Sequence, residues 1–191
     1  MNTEPLGAGI GAVVVPIARG AIASELGVPF ATDESAAWLD EPAATFVTLR
    51  QDGDLRGCMG TLEAHRSLRL DLKHNAVAAA FRDPRFRPLT RRELPATEVE
   101  VSILSATEPL AFVSEDDARA ALRPFVDGVV FEYGVYRSTF LPQVWEQLPD
   151  PGEFLGQLKR KAGLPADFWA PGVRLARYTV AKYLEARELV R

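Results

Sequence analysis

The stretch ATFVTLRQDGDLRGCMGTLEA, residues 44–64, decides how the chain folds. Two β-rich runs flank Asp52-Gly53, a dipeptide that accepts the positive φ angles of a two-residue turn, so the stretch predicts a β-hairpin. With Gln51 opposite Asp54, an uninterrupted register puts Val47 opposite Cys58 and Leu49 opposite Arg56. Val47, Leu49, Arg56, Cys58 and Leu62 then share one face, and Phe46, Thr48, Arg50, Leu55 and Met59 the other. Both faces carry apolar residues, and both are expected to be covered.

Outward from the hairpin, residues 1–12 read as a loose arm. PIARGAIASELG predicts a helix with Pro16 in its first turn and Gly27 as its stop. Asp33 is expected to cap a short turn carrying Trp38 and Leu39. Ser67 opens a helix running to about Arg82, with Leu68, Leu72, Ala76, Ala79 and Ala80 at helical spacing, ended by Asp83-Pro84. TEVEVSILS alternates as a half-buried strand. Ser114 caps another helix, GVVFEYGVYRSTFL is a second hairpin turning near Tyr133-Gly134, and GEFLGQLKRKAG is an amphipathic helix closed by Gly163. Val173, Leu175 and Arg177 begin a last strand. Hairpins mixed with helices, without βαβ repeats, predict an α+β fold with a mainly antiparallel sheet.

The totals exclude several classes. The chain has 191 residues, 47% hydrophobic and 25% charged, which suits an ordinary globular core. A net charge of −4 provides no general pull toward nucleic acid or an anionic membrane surface. One cysteine cannot make an internal disulfide. The longest uncharged stretch, Pro5–Ala18, is too short to span a bilayer and lacks the positive flank of a signal peptide. A cytoplasmic location is expected.

Cys58 is the single thiol, and Gly57 and Gly60 flank it. A free cysteine is commonly a buried, inert residue. Bare backbone on both sides is more than such a thiol needs, and it lets a ligand or another chain approach closely. Arg56 is placed to bind an anion beside the sulfur, and a guanidinium on an apolar face must be paired. The gap at Gly57 is expected to admit the ligand, so that an added methyl blocks binding without unfolding the chain.

LRGCMGTLEA closely resembles the LRGCIG signature of the AMMECR family. Further blocks match that family in order: FVTL at 46–49, AAAFRDPRFRPLT at 78–90, EVSILS at 100–105, DGVVF at 127–131, FLPQV at 140–144 and FLGQLKRKAGLP at 154–165. Met59 replaces the usual isoleucine, a volume-conserving change. The resemblance implies one domain over residues 1–191, built as two lobes with the signature near a cleft between them. The main lobe would carry both termini and the smaller would be inserted. It also implies a setting, the AmmeMemoRadiSam system, in which protein A accompanies a Memo-like protein related in fold to extradiol dioxygenases and a radical SAM enzyme. It supplies no reaction and no catalytic residue.

Other patterns are weaker. His65 and His74 show no metal-ligand spacing, and His74 is more naturally a helix-surface residue than a base for Cys58. No GxSxG, GxGxxG or Walker-type loop occurs, so no metal or cofactor is expected. Arg82, Arg85, Arg87, Arg91 and Arg92 crowd one segment, with Arg85 inside a family block. Gln143 is the one polar handle of FLPQV. Two functions follow. The first is a cytosolic accessory module binding a small anionic ligand or a partner through Arg56, Gly57, Gly60, Arg85 and Gln143. The alternative is a small enzyme with Cys58 as nucleophile or redox thiol.

Overall fold

Ala44–Gln51 (β1) and Asp54–Gly60 (β2) form the predicted hairpin, with Asp52 at φ 51° and Gly53 at φ 87° in its turn. This computed structural model describes residues 9–185. The expected register holds at Gln51–Asp54 and then slips. Arg50 lies opposite Leu55 and Leu49 opposite Gly57, so Arg56 is the extra residue of a bulge. Cys58 therefore faces Thr48, not Val47, because one inserted residue sends every later side chain to the opposite face. Val47 and Leu49 are fully buried in the core, whereas Cys58 and Thr48 are half-buried on the other face.

The chain divides into two compact units, the described residues up to Leu104 with those from Ala181, and Ser105–Val180. In the first unit the sheet order is β2-β1-β3-β8, where β3 is Glu98–Leu104 and β8 is Val180–Leu184. Helices α1 (Gly11–Glu25) and α2 (Leu68–Phe81) bury Val14, Ile17, Leu72 and Ala76 against Val47, Val99 and Val101. Helix α1 begins five residues before Pro16, which sits inside it at the loss of one intrahelical bond. Residues 1–8 of the expected arm lie outside the described residues. Asp33 accepts the Ser35 N–H at 2.9 Å and does not cap the 3₁₀ turn Ala37–Asp40.

The second unit has the antiparallel order β4-β7-β5-β6, from Glu108–Pro109 (β4), Gly128–Tyr133 (β5), Tyr136–Phe140 (β6) and Arg174–Tyr178 (β7). Helices α3 (Glu115–Ala121) and α4 (Pro151–Lys161) cover one face, where Phe131, Phe154 and Leu158 are buried. Ser114 caps α3 as expected, accepting from the Asp117 N–H at 3.1 Å. The strand predicted from Val173 is β7. It is not the last, since β8 follows it and completes the first sheet.

Candidate functional site

Strand β2 is an edge of its sheet, and an edge residue has backbone groups that need partners. At Cys58 those partners come from the turn that ends α2. The Cys58 N–H donates to Asp83 Oδ2 at 2.9 Å, and its carbonyl accepts from Arg85 Nη2 at 3.4 Å. Arg85 in turn donates to Asp83 through its backbone N–H (3.1 Å) and Nε (2.9 Å) to Oδ1, and through Nη2 (2.7 Å) to Oδ2. Asp83 is buried, while the Arg85 side chain is 54% exposed. The Arg85 guanidinium, with the Cys58 N–H adding to it, holds the Asp83 carboxyl well below the usual carboxylate range.

Two cations lie over the Phe86 ring, Arg85 Cζ at 5.4 Å and Arg56 Cζ at 6.0 Å from its centroid. Arg56 is paired, as its position in the strand requires, with Glu93 Oε1 at 3.2 Å. Its Nη1 is enclosed without an acceptor. Glu93 is also gripped by Thr90, whose hydroxyl and N–H lower its pKa more than Arg56 does.

The sulfur has a different neighbour. Thr48 Oγ1 donates to Cys58 Sγ at 3.4 Å, and Thr48 lies opposite Glu100 on β3. Thiol, hydroxyl and carboxylate thus form a row across β2, β1 and β3. Among the described residues, the half-buried Glu100 carboxylate has no hydrogen-bond or ion-pair partner. Sequence reading missed Thr48, Glu100 and the bond from Asp83, because the uninterrupted register aimed Cys58 at Val47. Asp83 was legible only as the end of a helix, although an arginine two residues on is a pairing signal.

The two signature glycines have uses within the fold, which corrects the expectation that their gaps admit a ligand. A Cβ on Gly57 would stand 2.2 Å from the Ala79 carbonyl oxygen of α2, and one on Gly60 would stand 2.2 Å from the Phe46 ring. Gly57 lets the helix backbone touch the strand, and Gly60 seats an aromatic ring. Gln143 lies in the second unit, exposed on the 3₁₀ turn Pro142–Glu146. His74 is exposed on α2. No helix among the described residues is long and apolar enough to cross a membrane.

The AMMECR1 family model matches residues 15–183. The chain belongs to the AMMECR1 family. A protein of Methanothermobacter thermautotrophicus is 38% identical over 186 residues, covering 93% of this chain and 95% of its own. Protein MJ0810 of Methanocaldococcus jannaschii is 39% identical over 143 residues, covering 73% of this chain and 71% of its own. The crystal structure of the uncharacterised protein PH0010 from Pyrococcus horikoshii resembles this one with a TM-score of 0.76 at 31% identity, over 92% of this chain and 91% of that chain. In this AMMECR1 chain the LRGCMG strand and the FRDPRF turn, far apart in sequence, meet at the Cys58–Asp83–Arg85 contact.

Proposed function

We propose that this AMMECR1 chain is a binding module whose contact point is the β2 edge at Cys58 and Arg85, acting as an accessory to a Memo-like protein and a radical SAM enzyme. The state of Arg85 carries this reading. Asp83 fixes its Nε and Nη2, while Nη1 has no partner among the described residues and about half of the side chain stays in solvent. A cation held this way loses little freedom when it takes a carboxylate or phosphate, either from a small anionic ligand or from an acidic side chain of a partner. Phe86 adds a flat apolar surface beside it, which Arg56 also meets. The identity of the partners rests on the family resemblance, and the demanding chemistry then belongs to their cofactors. Gly57 and Gly60 act through the fold.

One observation favours a second reading, a thiol enzyme. The Thr48 hydroxyl donates to the sulfur at 3.4 Å, and Glu100 stands next in the row. The alkylation rate of Cys58, measured alone and with each partner added, separates the two. The binding reading expects the rate of an ordinary free thiol in the isolated chain and a marked slowing once a partner is bound. Capture of a partner with no change in alkylation would move the contact elsewhere. A rate far above that of glutathione in the isolated chain would favour the enzyme.

A further inference from the structure

The second unit holds a pocket that the signature site does not use. Its helices cover one face of the β4-β7-β5-β6 sheet, where Val129, Phe131 and Leu175 are buried. Alternation along the strands turns Val130, Glu132, Arg174 and Ala176 to the other face. A cavity of about 250 Å³ opens there, floored by Val130, Ala176 and Pro109. Val130 is only 8% exposed, yet it belongs to neither apolar cluster of the protein.

The rim is charged. Glu132 receives Arg137 Nε on Oε1 at 3.0 Å and Arg174 Nη2 on Oε2 at 3.3 Å. Two guanidiniums thus meet one carboxylate at the rim. Arg174 is 71% exposed, and its Nη1 has no partner among the described residues. Exposed ion pairs of this kind add little to stability, so folding alone does not explain the arrangement. An apolar floor beside an exposed guanidinium edge suits a small organic monoanion, whose carboxylate takes the free edge of Arg174 while its hydrocarbon lies on Val130 and Ala176. The volume admits about eight water-sized groups, the size of a short-chain acid.

We propose that this pocket binds a small aliphatic carboxylate, independently of the Cys58–Arg85 contact. The test titrates the full chain with hexanoate and, in parallel, with hexanol, following backbone amide shifts of the second unit by NMR. The expected result is saturable binding of hexanoate at the residues around the pocket, with hexanol weaker by at least about tenfold, the scale of one lost charge-assisted contact. Arg174→Gln, which removes the cation, and Ala176→Leu, which fills the floor, should each weaken hexanoate by a similar factor. Equal binding of hexanol, an absence of saturable shifts, or unchanged binding in folded Arg174→Gln and Ala176→Leu would overturn the proposal. The comparison of hexanoate with hexanol needs no variant and stands even if a substitution harms folding.

Discussion

Helix α2 is fastened to the hairpin near each end by one carboxylate, and the two fastenings are finished differently. Near its start, Asp71 Oδ2 accepts the Thr45 N–H and hydroxyl (both 2.8 Å), the Thr61 hydroxyl (2.6 Å) and Asn75 Nδ2 (2.9 Å). Thr45 and Asp71 are fully buried, and only Arg66, with Nε 3.4 Å from Oδ1, reaches them from the edge. Beyond its end, Asp83 holds a single hairpin group, the Cys58 N–H, and gives the rest of its capacity to a half-exposed arginine. Short side chains close the first fastening against water. The long arm of Arg85 leaves the second open, with a thiol beside it. The same device thus serves the fold at one end and presents a charged surface at the other.

Substitutions should separate the two ends, and the largest effect belongs to the closed one. Asp71→Ala removes the acceptor shared by four donors, stranding the buried Thr45 N–H, and is expected to cost about 3–5 kcal/mol. A urea midpoint close to wild type would show that the network is incidental. Gly57→Ala comes next, since its methyl meets the Ala79 carbonyl at 2.2 Å and forces helix and strand apart. The expected loss is about 1–3 kcal/mol by overpacking, and unchanged melting would contradict the close approach of α2.

Asp83→Asn should cost about 1.5–3 kcal/mol at neutral pH, the range of a hydrogen bond to a charged group. The sign of its pH dependence follows from the depressed pKa. A carboxyl held below its unfolded value stabilises fully above that value and loses its contribution as pH falls. The gap between wild type and Asp83→Asn should therefore be full at neutral pH and shrink below about pH 4. Urea unfolding across that range checks it, and a gap that widened toward acid would sink the assignment. Arg85→Gln should cost least, about 1–1.5 kcal/mol, because the arginine is half in water, while its loss leaves the buried Asp83 carboxylate only the N–H donors of Cys58 and residue 85.

Local signals made much of this legible. Asp52-Gly53 marked the turn, Ser114 its cap, and the apolar spacing of α2 and α4 their buried faces. The bulge at Arg56 had no such signal, since Leu-Arg-Gly-Cys reads as unbroken strand and the extra residue shows only when β1 and β2 are paired. Asp71 and Asn75, four apart on a helix, carry no local sign of burial, which comes only when Thr45 and Thr61 are brought against them. The glycines beside Cys58 were legible as close approach. Which body approaches was not, because the Ala79 carbonyl and the Phe46 ring come from elsewhere in the chain. Strand β8 escaped notice because its partner strand lies some eighty residues earlier.

The claim that the open end of this arrangement is the contact point is tested most directly by the affinity of folded Arg85→Gln for the proposed Memo-like partner, measured by titration beside wild type. Loss of one charge-assisted pair predicts a dissociation constant at least about tenfold weaker at a temperature where the variant is fully folded. An unchanged dissociation constant in the folded variant would contradict it.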